Sequence, residues 1–303
     1  LLDGTFASKQ FQIGSEANQT ISMSIGTVNT ANIGAHQVDS VVNIASGTSN
    51  GMDDDGDVVI TGAFGTSTID VSATDKSAKR FAAAVNAVTS ETGVSATAIT
   101  KVKLSNFSAA DTVSFTVNGT TTGAVAIASA SDLRDLRDAI NAIAGETGVT
   151  AALSGGQNSA LELTDIDGDD ISIGSFSTTS TANMRLTALD KNGNTATDND
   201  GGTELVVLLE DTATAQTTYV DAAAYTVTGQ VTMNSDESYT LATTHDLAVA
   251  ATAITQTGTT DALDTLTTDG EFFGATPTTA GTVTTSSALS SVGTVNISTT
   301  SGA

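Results

Sequence analysis

The sequence predicts an α+β fold, mainly β, built from small antiparallel or mixed sheets with short packed helices in two or three domains. Three observations predict it. Apolar residues alternate with polar ones in many short runs, the period of half-buried strands. One helical pattern occurs twice, each time flanked by such runs. Aromatics make up only 4% of the 303 residues and Trp is absent, while Thr, Ser, Ala and Gly abound. That mixture suits short strands and turns over cores of Val, Ile, Leu and Ala.

The first strands are read at the start of the chain. Ile21, Met23 and Ile25 alternate with Ser22 and Ser24, and Phe6, Phe11 and Ile13 precede them across the polar, turn-rich run Gly14 to Gln19. This reads as a half-buried β-hairpin whose packing partner lies elsewhere. The chain opens on Leu1 rather than Met and reads as part of something longer.

The duplication lies at an offset of 55 residues. Ser77 to Val94 is one copy and Asp132 to Val149 the other. Phe81, Val85 and Val88 fall at i, i+4 and i+7, and so do Leu136, Ile140 and Ile143, which places each trio on one helical face. Gly93 and Gly148 stand where a left-handed residue closes a helix. Thr74 or Asp75 is expected to cap the first helix, and Ser131 or Asp132 the second. A helix of about three turns is unstable alone in water, so each must lay its apolar stripe on a sheet. Val113, Phe115 and Val117 alternate before Asn118-Gly119, a tight-hairpin signal. Val125 and Ile127 follow, then the helix, then Leu161 and Leu163. The first copy has Ile69 and Val71 before its helix and Ile99, Val102 and Leu104 after it. The expected unit is strand, helix, strand.

From Thr203 onward strands are expected to dominate: Leu205–Leu209, Tyr219-Val220, Tyr225-Thr226-Val227 and Tyr239-Thr240-Leu241. Residues 255–290 are Thr/Ser/Gly-rich, with Phe272 and Phe273 as their large anchors, and read as an irregular return path.

Charge excludes some functions. The formal net charge is −24, from 34 acidic and 10 basic residues. Such a surface repels nucleic acid and anionic membranes, and neither is expected as a partner. There is no Cys, which removes disulfides and thiolate metal sites. No apolar run reaches the ~18 residues of a membrane helix.

Catalytic, cofactor and metal sites are all expected to be absent, and no enzymatic activity is assigned. His36 and His245 are the two histidines. They form no His-Glu-x-x-His pattern, and no Gly-x-Ser-x-Gly elbow, Walker loop or dinucleotide fingerprint occurs. Three acidic clusters invite a calcium reading: Asp53 to Asp57, Asp165 to Asp170, and Asp190 to Asn194 continuing to Asp198 and Asp200. In the second and third the glycine is fourth rather than sixth, and position twelve is Phe176 or Gly201 rather than Glu, so neither fits an EF-hand loop. They read as solvated turns, with weak cation binding at them left open. Asn106, Asn118 and Asn296 begin N-x-Ser/Thr sequons, which recur by chance in a Thr/Ser-rich chain.

The ends and the duplication carry a family resemblance. Leu1-Leu2-Asp3-Gly4-Thr5-Phe6, Phe11-Gln12-Ile13-Gly14 and Ala17-Asn18-Gln19-Thr20-Ile21 resemble bacterial flagellin where its N-terminal helical part gives way to a β-hairpin. Ser291 to Thr299 is similar to the segment leading back into the flagellin C-terminal helix. Asn118 through Thr164 resembles the flagellin hook IN motif, and residues 66–104 are a weaker match. Gly229 to Ser235, followed by Tyr239, resembles polar flagellins of the Pseudomonas type. The resemblance implies the exposed, variable middle part of a flagellin, a structural subunit of the extracellular flagellar filament in motility. It implies partners in other flagellin subunits, reached through terminal helices outside this chain, and a monomeric state for these residues alone. On this reading 1–40 with 288–303 form a base, 41–110 with 203–287 an outer domain, and 111–202 a second outer subdomain. The hairpin and the segment around Val292–Ile297 are expected to lie together. The alternative from composition is a repeat module of a calcium-dependent bacterial surface adhesin.

Overall fold

The computed structural model describes residues 9–12, 20–23, 34–46, 57–71, 77–154, 158–180, 182–197, 204–209, 224–243 and 283–291. Strands predominate, with four short helices among the described residues. Every ladder among them is antiparallel, so the mainly-β α+β expectation holds in its antiparallel form.

The opening hairpin is β1 (Lys9–Gln12) paired with β2 (Thr20–Met23), with Phe11 opposite Ile21. The next elements are β3 (Gly34–Asp39), β4 (Asn43–Ser46), β5 (Asp57–Thr61) and β6 (Thr66–Asp70). The first repeat continues with α1 (Ala78–Ala87), α2 (Thr89–Thr92) and β7 (Ser95–Ser105). The second has β8 (Asp111–Val117), β9 (Thr120–Thr121), β10 (Val125–Ile127), α3 (Arg134–Ala142), α4 (Ala144–Thr147), β11 (Thr150–Ser154) and β12 (Ala160–Asp165). Eight strands follow: β13 (Ile171–Thr178), β14 (Met184–Leu189), β15 (Val206–Leu209), β16 (Ala224–Thr228), β17 (Gln230–Ser235), β18 (Thr240–Thr243), β19 (Val283–Ser286) and β20 (Ala288–Ser291).

Three larger sheets hold these strands. A four-stranded sheet runs β19-β18-β5-β6, and a six-stranded one runs β10-β8-β13-β16-β4 with β9 on β8. An eight-stranded sheet runs β11-β12-β7-β17-β3-β20, with β14 joining β7 and β15 joining β14. The long strand β7 organises that sheet, because its two ends serve different neighbours. Ser95 to Ile99 pair with β17, and Thr100 to Leu104 pair with β12. Its inward residues therefore feed two cores. Ala96 joins Val58, Ile60, Phe81, Val85, Met233, Tyr239 and Leu241. Val102 and Leu104 join Phe115, Leu136, Ile140, Leu163, Leu186 and Tyr225. Burial of one such aliphatic side chain contributes about 1.5–3 kcal/mol, so Leu136 and Ile140 anchor a helix too short to persist alone.

Details depart from expectation. Each helix is broken in two, at Val88 and at Ile143, where ψ rises to 11° and 5°. Val88 and Ile143 are consequently half-buried, while Phe81, Val85, Leu136 and Ile140 are buried. Ser77 occupies the N-cap position of α1 without a side-chain cap bond; Thr74 and Asp75 lie outside the described residues. Leu133 occupies the N-cap position of α3, and the Asp132 carboxylate accepts the Arg134 N–H at 3.3 Å and pairs with its guanidinium. Leu205–Leu209 becomes β15 paired to β14, and Tyr225 to Val227 become the wholly buried β16. The described part of the return path closes on β3, with Ser291 opposite Gly34. Phe6, Ile13, Ile25, Tyr219-Val220, His245, Phe272, Phe273 and Val292–Ile297 lie outside the described residues.

Candidate functional site

The duplication is carried into matching hydrogen bonds. In the first repeat the Asn86 carboxamide brackets Ala96, donating to its carbonyl and accepting its N–H, both at 2.8 Å. In the second, Asn141 does the same to Ala151 at 2.9 and 2.8 Å. The Thr92 hydroxyl donates to Val88 O and accepts from Val94 N; the Thr147 hydroxyl donates to Ile143 O and accepts from Val149 N. Gly93 and Gly148 then turn the chain at φ 78° and 76°. This joint ties each helix to the start of the strand that follows it.

The repeats meet at the Asp165–Asp170 turn. Asp165 is buried, and its Oδ1 accepts the N–H groups of Asp167, Gly168 and Asp169 at 2.9, 3.1 and 3.4 Å. Burial raises its pKa above the ordinary value of 3.8, against the pull of those N–H groups. Gly168, at φ 82°, presses against Ala98 so closely that a Cβ there would overlap it. Its carbonyl accepts the Lys79 N–H at 3.0 Å, capping α1 of the other repeat. The Lys79 ammonium reaches Asp169 at 2.6 Å and Asp167 at 3.3 Å, and both raise its pKa. Gly229 leaves room for this contact: a Cβ there would lie 2.9 Å from both Ala78 Cβ and Gly168 O. The turn of the second repeat thus plugs into the helix start of the first.

Two further acidic positions, Asp190 and Asp111, are likewise spent on backbone N–H groups. Asp190 Oδ1 accepts from Asn192 N and Asn194 N, and Oδ2 from Asn194 Nδ2. Lys191 in that turn pairs with Asp39 at 2.6 Å, fastening it to β3. Asp111 accepts from Thr112 N, Thr179 N and the Thr179 hydroxyl on one oxygen and from Ser180 N on the other. The Thr179 hydroxyl bond leads the causes that lower its pKa. No group of three or more His, Asp or Glu side chains suited to a metal is found among the described residues. Asp53 to Gly56, Asp198 and Asp200 lie outside those residues.

The remaining candidates stay apart. His36 is half-buried in β3, opposite Leu289 and Ser235 in its two ladders. Asn118 turns out to be structural: at φ 48° it opens the β8–β9 turn, donates to Thr147 O at 3.0 Å and accepts Ser172 N at 2.8 Å. The Asn-Gly pair signalled the turn, but nothing in the sequence signalled these two side-chain bonds. On the opening hairpin, Phe11 and Ile21 are 45% and 52% exposed, an apolar cross-strand pair facing out. No helix of the described residues is long and apolar enough to cross a membrane.

Residues 112–167 match the family model of the flagellin hook IN motif. They run from β8 through the second helix and joint to the turn at Asp167, so the motif is the second repeat. Among solved structures, the chain is similar to the D2-D3 domains of the flagellar cap protein FliD from Escherichia coli, at 11% identity over 67% of this chain and 99% of that one, with a TM-score of 0.20. It is also similar to FliD (HAP2) from Pseudomonas aeruginosa PAO1, at 16% identity over 84% and 87% of the two chains, with a TM-score of 0.20. Scores this low carry no argument, and the motif match stands by itself. It agrees with the flagellin-like resemblance at the chain ends: the chain carries a flagellin hook IN motif over 56 of its 303 residues.

Proposed function

We propose that this chain is the exposed middle part of a flagellar filament subunit of the polar, Pseudomonas-like type, decorating the outside of an extracellular filament. The observation that carries the reading is the hook IN motif at residues 112–167. Its fold supports a scaffold role: the acid and amide groups of the repeats are committed to turns and joints rather than converging on a cleft. In this reading the base is 1–40 with 288–303. The outer domain is 41–110 with 203–287, and 111–202 is a second subdomain sharing β7. Subunit contacts run through helices outside these residues, so the chain alone is a monomer. The exposed Phe11–Ile21 pair supports a base that packs on such helices.

Antibody raised against this chain and imaged by immunogold electron microscopy tests the reading. Labelling along the whole filament is the expected result. Labelling confined to the tip or the hook would overturn the filament-subunit assignment. Light scattering of the isolated chain should return a monomer, and filaments formed by it would contradict the role given to the outside helices.

A further inference from the structure

We infer that Asn192 is a site of covalent self-modification, losing its side-chain amide to attack by the Gly193 backbone nitrogen. Asn-Gly pairs are open to this reaction because glycine has no Cβ to hinder approach. Two such pairs are described, Asn118-Gly119 and Asn192-Gly193, and the fold treats them oppositely. The Asn118 carboxamide is half-buried and tied at both ends, to Thr147 O and to Ser172 N. The Asn192 side chain is exposed and holds no hydrogen bond among the described residues, although its backbone N–H is fixed to Asp190 Oδ1 at 2.9 Å. The Asn192 carboxamide therefore swings freely while the turn keeps its neighbour close. What must open is the turn bond from Gly193 N to Asp190 O, 3.0 Å long. The third pair, Asn50-Gly51, lies outside the described residues.

In the reaction, Gly193 N bonds to Asn192 Cγ, the Cγ–Nδ2 bond breaks, and the amide leaves as ammonia with the proton from Gly193. Water then opens the cyclic imide at either carbonyl, giving aspartate or isoaspartate. The imide nitrogen carries no hydrogen, so the bond to Asp190 O is lost. Isoaspartate lengthens the main chain inside a turn whose preceding residue, Lys191, is held by Asp39 and by the Gln230 side chain. Conversion at this position loosens the fastening of the turn to β3 and β17.

Peptide mass mapping with isoaspartate-specific methylation, on the whole folded chain aged in mildly alkaline buffer, tests this. Asn192 should convert about tenfold faster than Asn118, because two side-chain hydrogen bonds guard one and a single surface turn bond the other. Equal or faster conversion at Asn118 would overturn the proposal. So would an intact Asn192 after a time in which a short peptide of residues 189–195 converts fully. In Asn192→Gln the shift should vanish from that peptide; its persistence there would refute the assignment.

Discussion

The two repeats share one helix-to-strand joint and differ in what stands around it. In the second, the α3 start is capped from within, Leu133 N donating to Asn158 O at 2.9 Å, and Asn118 pins the far end through Thr147 O. In the first, the α1 start is capped from outside by Gly168 O, and the carbonyl matching that of Thr147, Thr92 O, faces Gly62 with no room for a Cβ. The second repeat satisfies itself, while the first borrows. The chain holds two copies of one unit, and one of them depends on the turn of the other. The hook IN match covers the second copy, the one whose helix is capped from within.

The largest way to break the comparison is Gly168→Ala. Its positive φ and its overlap with Ala98 together should cost about 2–4 kcal/mol in chemical denaturation. A cost under ~1 kcal/mol would mean the turn does not bear on α1. Next come Asn86→Ala and Asn141→Ala. Each leaves a strand N–H and carbonyl without the bracket, a loss of about 2–3 kcal/mol. The two should agree if the joints are equivalent, and a clear inequality would sharpen which repeat carries more of the fold. Asn118→Ala should cost about 2 kcal/mol and has no counterpart at Gly62.

Acid separates two carboxylates of opposite sign. Asp111 has a lowered pKa, so its contribution is present above 3.8, the unfolded value, and is lost as pH falls through its folded value. Asp165 has a raised pKa, so the fold favours its neutral form. Its contribution is largest below 3.8 and is lost as pH rises through its folded value. Asp111→Asn should flatten the acid limb of the stability curve and Asp165→Asn the limb just above it, as read by urea titrations across that range. The smallest effect is at Lys79→Ala, whose exposed ion pairs should give a slight loss that high salt erases. The acidic turns predict a melting temperature indifferent to calcium or chelator, because Asp165 and Asp190 already spend oxygens on backbone N–H groups. A strong calcium shift would favour the adhesin alternative.

Much of the fold was legible because periodicity and turn chemistry are local. The trios at 81, 85, 88 and 136, 140, 143, the closing glycines and the Asn118-Gly119 turn could all be read from spacing. The helix breaks at Val88 and Ile143 were not, since the Thr92 and Thr147 side-chain bonds that accompany them are encoded by no periodicity. The plug at Gly168 was hidden for another reason. It depends on β7 bringing Ala98 beside a turn 70 residues further along. The acidic clusters were visible as turns, but their partners Lys79 and Asp39 are long-range and unforeseeable from charge alone.

The central claim is that the first repeat leans on the turn of the second. Amide hydrogen exchange in Gly168→Ala, compared with the native chain, tests it most directly. The account predicts that amides of α1 around Phe81 and Val85 lose protection, while those of α3 around Leu136 and Ile140 stay near native. Equal loss in both helices, or a greater loss in α3, would contradict it.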